Sequence, residues 1–290
     1  GDCFTLPYFS FLKATFVYDI HSLSLPLQKR MQEDSGYLKL DSLTEFPLNN
    51  YVRLESFGYA KFEYRWIKKC SAYISNSLNS SQYLKSFYRD AIGNKPIFQV
   101  PVVTDLARRA EAKEERHKKY LYAFGRYHPQ KGWHHLIFNN WKPDELKIRG
   151  FDSQYFSDQG RRFLKSNGIE FLPWSDDNKE LRRDLINAEA VLFPAIYEPF
   201  GLALREALDL GCLCICHKNA SGHEEQINHG VNGLLIDMSS PDLPKQIQKI
   251  LNMPHDIKET IRNNAKSSPR FTLSDRGKAF NEVFDYLFTN

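Results

Sequence analysis

The sequence predicts an α/β protein built on parallel sheets. Short apolar runs recur along the chain, amphipathic helical stretches separate them, and glycine, proline or capping residues stand at many junctions. Strands of a parallel sheet are buried on both faces and are therefore apolar throughout, while the helices between them cover those faces. A doubly wound sheet of this kind binds ligands beyond the carboxyl ends of its strands. The 290 residues are enough for two such domains.

The overall composition is that of an ordinary globular protein, with 42% hydrophobic and 26% charged residues. The formal net charge of +4 is too small to predict a nucleic-acid partner, although it would not oppose contact with an anionic membrane surface. No apolar run approaches the ~20 residues that span a bilayer, and the N-terminus lacks the pattern of a signal peptide. We therefore expect a cytoplasmic protein that could contact a membrane peripherally.

Residues 1–104 are expected to form the first, N-terminal α/β domain. Its strand candidates are Thr15–Tyr18, Ala72–Ser75 and Pro96–Pro101, and a long helix is expected over Asn50–Lys69. Asn79 and Gln82 are candidate caps for the helix after the second strand.

The second domain is expected over residues 105–272, beginning with a charge-rich stretch that is typical of a solvated helix or linker. Strands and helices alternate regularly in this domain. The strand candidates are Tyr120–Phe124, Leu146–Ile148, Ile169–Leu172, Ala190–Phe193, Cys212–Cys216 and Gly233–Ile236. The last segment, residues 273–290, is expected to be an amphipathic helix.

The five cysteines do not predict a disulfide framework in a chain of this length. Cys212, Cys214 and Cys216 alternate along one strand candidate, so their side chains would share one face. A metal site is one interpretation, but ligands in such a row fan out along the strand. Buried thiols in the core are the favoured interpretation.

The most informative stretch is Tyr197–Leu208, which follows the apolar run Ala190–Phe193. It is expected to leave a buried strand as a loop and to continue as a short helix, with Gly211 as a left-handed C-terminal cap. Amides at a helix N-terminus attract phosphates. Glu198 would stand just before that N-terminus and Glu206 about two turns downstream, which indicates a nucleotide-sugar site. Two solvated charges flanking a helix are the simpler alternative.

The Glu-x7-Glu spacing around Pro-Phe-Gly resembles the signature of retaining GT-B glycosyltransferases of group 1, also called glycosyltransferase family 4. In this family the first acid faces the donor sugar and the second holds the ribose hydroxyls. The resemblance therefore implies these roles for Glu198 and Glu206. It also implies that the amides near Phe200, Gly201 and Leu202 face phosphate or sugar oxygens.

A second element, Phe124–Gly132, follows the first strand of the second domain. Gly125 lets the backbone turn, and Arg126 and Lys131 would leave two cations at the strand end, as a diphosphate requires. The element resembles the family's Gly-Arg…Lys-Gly element, whose cations neutralise the donor diphosphate and the departing nucleotide. Taken alone, a solvated basic loop would be an equal interpretation.

A third element, which starts at Ser221, resembles a glycine-rich turn and helix of the family. Glu225 falls on the family's acid, whereas Ser221 replaces its first glycine and Glu224 its usual proline. The sugar preference therefore does not follow from this element.

Two further residues have weaker links to the family. Trp174 follows the strand after which the family seats its base, and it would either border the base or serve packing. His21 has a context similar to that of a family histidine near the donor sugar, and an ordinary loop histidine is the equal alternative.

Taken together, the resemblance implies a GT-B fold of two Rossmann-like domains, with the helix 273–290 crossing back to the N-terminal one. It implies retaining transfer of a sugar from a nucleoside diphosphate sugar, UDP-sugar first and GDP-sugar next, to a glycan, lipid-linked or protein acceptor. No Asp-x-Asp sequence is present. Cations and helix dipoles would take the place of a metal on the diphosphate, so no metal and no other cofactor is expected.

The resemblance is loose before residue 95, where a glycine-rich opening is missing. The N-terminal domain is therefore expected to be incomplete or reduced. This motivates an alternative hypothesis, a nucleotide-sugar-binding subunit that is inactive until a partner chain completes the domain. A third hypothesis, an epimerase or phosphorylase of the same fold, is opposed by the Glu-x7-Glu spacing.

Overall fold

The computed structural model describes residues 17–20, 23–45, 62–104, 120–142, 145–150, 156–175 and 177–289. The chain divides into two compact units. The first comprises Gly1–Glu33, Asn50–Val103 and Arg270–Asn290, and the second comprises Asp34–Asn49 and Thr104–Pro269. Both are α/β units with parallel sheets, which confirms the predicted fold class. Among the described residues, no helix combines the length and the apolar content needed to cross a bilayer.

The first unit contains a three-stranded parallel sheet in the order β1-β2-β3. Its strands are β1 (Val17–Ile20), β2 (Ala72–Ser75) and β3 (Ile97–Gln99). Its helices are α1 (Ser24–Glu33), α2 (62–69), α3 (Leu78–Phe87), α4 (Arg89–Ile92) and α12 (Leu273–Thr289). The C-terminal helix α12 packs on this sheet, because Val283 is buried beside Ile74 and Val100, and the Arg276 guanidinium donates to the Pro101 carbonyl at 3.0 Å.

The first strand ends two residues later than predicted. Asp19 and Ile20, which lie beyond the strand candidate Thr15–Tyr18, continue β1 because the parallel pairing with β2 extends to Ile20 and Ser75. His21, the candidate site residue of this region, lies outside the described residues, as does the part of the predicted long helix that precedes α2.

The predicted cap of α3 is wrong. Ser77 stands one residue before the helix, and its hydroxyl accepts a hydrogen bond from the Ser80 amide at 3.0 Å. Asn79 and Gln82 are the second and fifth residues of α3, inside the helix. A short side chain caps a helix from the position before its first turn, and Ser77 occupies that position.

The second unit contains a six-stranded parallel sheet in the order β6-β5-β4-β7-β8-β9. Its strands are β4 (Tyr120–Phe124), β5 (Leu146–Arg149), β6 (Ile169–Leu172), β7 (Ala188–Phe193), β8 (Cys214–His217) and β9 (Leu234–Ile236). Its helices are α5 (His134–Ile137), α6 (Asp158–Ser166), α7 (Asn178–Asn187), α8 (Leu202–Asp209), α9 (Gly222–Gln226), α10 (Leu243–Leu251) and α11 (His255–Lys266). Two 3₁₀ segments cover Gly36–Ser42 and Pro129–Lys131. Each predicted strand of this domain is present to within two residues at either end.

The core of the second unit lies along β7, β8 and α8. Cys212, Cys214 and Cys216 are buried in it together with Val191 and Leu204. Burial raises the pKa of the Cys214 and Cys216 thiols well above the ordinary value, so both are neutral. The interpretation of these cysteines as core thiols is confirmed.

Helix α8 ends as the sequence predicts. Gly211 has a φ of +68°, and its amide donates to the Leu208 carbonyl at 2.8 Å. A buried ion pair inside the helix, between Arg205 Nη2 and Asp209 Oδ1 at 2.7 Å, fixes its last turns, and the Thr104 hydroxyl donates to the other Asp209 oxygen at 2.7 Å. The helix that carries Glu206 is therefore anchored at its C-terminal end.

Candidate active site

The strand order of the second unit reverses between β4 and β7. From β4 the chain proceeds outward to β5 and β6, and from β7 it proceeds in the other direction to β8 and β9. Loops that leave the carboxyl ends of two strands at such a switch point diverge from each other and leave a crevice for a ligand. The loop after β4 carries Arg126 and Lys131, and the loop after β7 carries Glu198, so the first two sequence motifs meet at this point.

The two loops are held together by backbone contacts. The Ile196 amide donates to the Gln130 carbonyl at 2.9 Å. Gly132 has a φ of +66°, and a Cβ atom there would lie 1.9 Å from the Pro194 carbonyl oxygen. Only glycine permits this approach, because any side chain would push the loops apart.

Lys131 and Glu198 form a direct ion pair across the two loops. The Lys131 ammonium donates to Glu198 Oε2, and the two side chains are only 19% and 13% exposed. Burial by itself would raise the pKa of Glu198, but the charge of Lys131, followed by His223 and Arg126, holds it below the ordinary value. Glu198 is therefore ionised, while Arg126 is an exposed second cation that acts on it.

His223 is the third side chain of this group, and no local pattern in the sequence predicts its role. It lies on α9 and is 2% exposed. A Cβ atom on Gly201 would lie 2.7 Å from His223 Cδ2 and 3.3 Å from Glu198 Cγ, so these three residues are in close contact. Burial lowers the pKa of His223 to about 4, although the charge of Glu198 opposes this shift. The imidazole is neutral at pH 7, and its Nδ1 atom is buried without a hydrogen-bond partner among the described residues.

The turn before α9 is tied to Glu198 through the backbone. The Gly222 amide donates to the Glu198 carbonyl at 2.7 Å, and the Glu198 amide donates to the Ala220 carbonyl at 3.1 Å. Ser221, between them, has a φ of +63°, a conformation that glycine adopts more readily. Serine is therefore strained at this position, where the resemblance described above implies a glycine.

The N-terminus of α8 presents backbone amides toward the same region. Gly201 precedes the helix in a left-handed conformation, and no side chain caps it in the described structure. The Gln226 amide group donates to the Phe200 carbonyl at 2.5 Å and to the Gly201 carbonyl at 3.3 Å, which fixes the orientation of this turn. Leu202, the first helical residue, is 49% exposed. Uncapped amides at a fixed helix N-terminus are suited to bind an anion.

Glu206 lies in the second turn of α8, in an environment that differs from that of Glu198. Burial, and then the negative charge of Asp209, raise the pKa of Glu206 to about 7. The same motif thus contains one ionised acid that is paired with lysine and one acid that titrates near neutrality.

The remaining predicted site residues lie at other positions in the unit. Gly125 follows β4 with a φ of +145°, and its amide donates to the Arg149 carbonyl at 3.0 Å. Trp174 follows β6, two strands away from β4, and is 56% exposed. Glu225 is exposed on α9, whereas its neighbour His223 is buried. The roles of Trp174 and Glu225 in donor binding stay predictions.

Comparisons with known proteins bear on the family and the fold of the chain. The sequence profile of the family described as "Glycosyl transferases group 1" matches residues 105–268, which is more than half of the chain. The uncharacterized glycosyltransferase YqgM of Bacillus subtilis (strain 168) is 23% identical over 220 residues, which cover 70% of this chain and 61% of YqgM. The chain thus spans less than two thirds of the length of the curated relatives that it matches.

Two solved structures share the fold. Sucrose-phosphate synthase from Thermosynechococcus elongatus superposes with a TM-score of 0.68 at 18% identity, over 98% of this chain and 71% of its own. Anabaena HepE, in complex with UDP and glucose, gives a TM-score of 0.63 at 20% identity, over 94% of this chain and 72% of its own. These neighbours are GT-B glycosyltransferases, so the predicted GT-B fold is confirmed.

Proposed function

Because the chain belongs to the group 1 glycosyltransferase family, we propose that it transfers a sugar from a nucleoside diphosphate sugar to an acceptor hydroxyl with retention of the anomeric configuration. The observation that carries the proposal is the Lys131–Glu198 pair at the switch point of the second sheet, beside the uncapped amides of α8. The Lys131 ammonium and these amides lie beyond the carboxyl ends of the strands, which is where a doubly wound sheet binds ligands.

The leaving diphosphate would be stabilised by Lys131 and Arg126. An ammonium group has three donors, and the contact with Glu198 uses one of them. The amides at the start of α8 would supply further donors to the same charge. Because these groups are fixed before the donor binds, they need little reorganisation as charge develops on the leaving group.

Glu198 would position the donor sugar. It is held as a carboxylate by Lys131, so it can accept hydrogen bonds from sugar hydroxyls. The buried, neutral imidazole of His223 offers an additional nitrogen beside it. Glu206 lies in the second turn of α8. It would hold the ribose hydroxyls and would not act as a second catalytic carboxylate.

A UDP-sugar is the first candidate for the donor and a GDP-sugar the second. The similar structure of Anabaena HepE contains UDP and glucose, which favours uridine here as well. The acceptor would be a glycan, a lipid-linked intermediate or a protein.

A second candidate function is a nucleotide-sugar-binding subunit that needs a partner chain for activity. It is favoured by the contrast between the six-stranded sheet of the second unit and the three strands described in the first. Sugar transfer by the purified chain alone would exclude this candidate.

Isothermal titration with UDP, GDP and ADP tests the donor site. We expect UDP to bind tightest, and Arg126→Ala and Glu206→Ala to weaken its binding about 10- to 100-fold, as expected for the loss of a charged hydrogen bond. Arg183→Ala removes a 65% exposed arginine on α7 and is the matched control, which should bind like wild type. A folded wild-type protein that binds none of the three nucleotides would contradict the proposal. Sugar transfer would then be followed by NMR, which also reports the anomeric configuration of the product.

A further inference from the structure

Three side chains with metal-binding atoms converge in the second unit, outside the Lys131–Glu198 cluster. His134 Nε2 lies 3.0 Å from Asp34 Oδ1, and His135 Nε2 lies 2.9 Å from Asp34 Oδ2. One potential ligand atom from each residue lies within 4.8 Å of the other two. The proposed transfer reaction makes no use of this group, which we call the Asp-His-His cluster.

The backbone near Asp34 leaves room for the close contact between Asp34 and the two histidines. Asp34 stands just before the 3₁₀ segment Gly36–Ser42, and the two histidines begin α5, 100 residues later. The Gly36 amide donates to Asp34 Oδ1 at 3.2 Å. A Cβ atom on Gly36 would lie 2.7 Å from His134 Cδ2, so a larger residue would displace the imidazole. The edge of the Tyr37 ring covers the same imidazole, with the ring centroids 6.4 Å apart.

Burial differs between the members of the Asp-His-His cluster. The His134 and His135 side chains are 5% and 4% exposed, whereas Asp34 is 26% exposed. The two imidazoles lie with their ring centroids 4.1 Å apart. Both rings face the same carboxylate, His134 through a hydrogen bond with Oδ1 and His135 through a contact with Oδ2. An ion bound between them would replace that hydrogen bond and release its proton.

Hydrogen bonds within the protein do not account for all polar atoms of the Asp-His-His cluster. His134 Nδ1 and His135 Nε2 are buried and have no hydrogen-bond partner among the described residues. His135 Nε2 is close to Asp34 Oδ2, but the alignment is not that of a hydrogen bond. Buried polar atoms without partners are uncommon in folded proteins, and an ion not included among the protein atoms is one recognised explanation.

We propose that Asp34, His134 and His135 bind one divalent transition-metal ion of the zinc class. Two imidazole nitrogens and one carboxylate oxygen are ligands that Zn²⁺ accepts, whereas Mg²⁺ and Ca²⁺ prefer oxygen ligands throughout. Tetrahedral ligands at zinc distances are separated by about 3.3 Å. The separations of 2.9 and 3.0 Å are to different oxygens of Asp34, so only one of them joins two ligands of the same ion, and that one needs to widen by a few tenths of an ångström. The three potential ligand atoms lie within 4.8 Å of one another.

The fourth position would be open to water or to another ligand. His217 is the nearest further imidazole, with its ring centroid 4.9 Å from that of His135. Its Nδ1 atom accepts a hydrogen bond from the Met238 amide at 3.0 Å, so its proton resides on Nε2 and it is not a ligand in this arrangement.

The ion would fasten the segment that starts at Asp34 to the rest of the second unit. Elsewhere this segment is held by the Ser157 amide, which donates to the Leu43 carbonyl at 3.0 Å, and by a bridge between Thr44 and Phe156. A metal at the other end of the segment would make its position depend on ion binding. The sequence pattern does not predict this site, because Asp34 and His134 are 100 residues apart in the chain.

Metal titration of the full chain, without a polyhistidine tag and after treatment with a chelator, tests the proposal. We expect one equivalent of Zn²⁺ to bind, Co²⁺ to give the visible absorption of a tetrahedral site, and Tm to rise by about 5 °C at saturating zinc. Mg²⁺ should produce neither effect.

Variants separate this site from adventitious binding. Asp34→Asn, which nearly preserves shape, and His135→Ala should lose stoichiometric binding, and the zinc-dependent rise in Tm should disappear with it. His255→Ala removes a 78% exposed histidine on α11 and should bind zinc like wild type. A folded wild-type protein without stoichiometric zinc, or equal binding by wild type and Asp34→Asn, would overturn the proposal.

Discussion

The two ends of strand β7 both carry a glutamate paired with a lysine, but the surroundings differ. At the amino end, Glu189 Oε1 lies 3.0 Å from Lys258 Nζ and 3.5 Å from Arg262 Nη2. Arg262 also pairs with Glu259 at 2.8 Å, and Lys258 donates to the Leu251 carbonyl at 2.6 Å. Two cations are balanced by two carboxylates, and the lysine is engaged on two sides.

Beyond the carboxyl end of β7, Glu198 is the carboxylate partner of Lys131, and Arg126 is a second cation that acts on it. The amides of α8 start without a side-chain cap, and His223 Nδ1 has no partner in the described part of the chain. Positive charge and hydrogen-bond donors are therefore in excess at this end.

Exposure does not distinguish the two pairs. The Lys258 and Glu189 side chains are 12% and 19% exposed, against 19% and 13% for Lys131 and Glu198. What differs is the balance of charges and donors around each pair. A balanced ion pair stabilises the fold, whereas an unbalanced one at a strand's carboxyl end is equipped for an anionic ligand.

Replacing each lysine by methionine tests this contrast, and of the predictions made here it has the largest expected effect. Lys131→Met should lower kcat for sugar transfer about 100-fold or more, because it removes a fixed cation from the leaving diphosphate. Lys258→Met should leave kcat unchanged and lower the free energy of unfolding by about 1–3 kcal/mol, because Glu189 loses a charged partner. Steady-state kinetics and urea unfolding of both variants provide the measurement. Equal losses of kcat in the two variants would show that the contrast has no functional meaning.

The pH dependence of donor binding extends the contrast to Glu206, whose pKa is set by burial and a like charge. The proposed contact with the ribose needs the carboxylate, which forms as the pH rises through about 7. Affinity for the UDP-sugar should therefore increase about 10-fold from pH 6 to pH 8, and calorimetry measures it. The donor itself does not titrate in this range.

Glu206→Gln is the control for this pH effect, and it should bind the donor weakly and equally at both pH values. The folded state of the wild type holds the Glu206 proton more tightly than the unfolded state does. Its contribution to stability is thus present at low pH and is lost as the pH rises to about 7 and above. A wild-type affinity that is flat with pH would argue against Glu206 as the ribose ligand.

The smallest expected effect concerns backbone strain at the carboxyl end. The two described non-glycine residues with positive φ, Asn219 and Ser221, both follow β8, and Ser221 forms a β-bridge with Glu198. Ser221→Gly should raise the free energy of unfolding by about 1 kcal/mol, because glycine adopts this conformation without strain. Asn219→Gly should change it less, since asparagine tolerates positive φ. Thermal unfolding compares the two, and a less stable Ser221→Gly would mean that the serine hydroxyl outweighs the strain.

Much of the second unit could be predicted because its signals are local. Buried parallel strands require apolar runs, and each of the six runs is a strand of the sheet. Gly211 was recognised as a helix cap because that conformation depends on neighbouring residues alone. The cap of α3 was mispredicted because Ser77 and Asn79 are both suitable capping residues. The end of β1 was mispredicted because the strand pairing of Asp19 depends on β2, which is distant in the sequence.

Parts of the candidate site had no local signal. A histidine in a short polar helix such as α9 is usually exposed, whereas contacts with Gly201 and the Phe193 ring bury His223. Gln226 has no local signal either, since its hydrogen bonds to Phe200 and Gly201 cross between two loops. A glycine without space for a Cβ atom is the signal that could have led to both.

By itself, the sequence determined the alternation of strands and helices, the glycines that turn the backbone, and the motifs that resemble a glycosyltransferase family. These features depend on contacts between residues that are close in the chain. The tertiary structure alone decided that the strand order reverses between β4 and β7, that Lys131 reaches Glu198, and that Asp34 meets His134 and His135. Such pairings depend on which strands lie side by side, and local periodicity carries no information about that order.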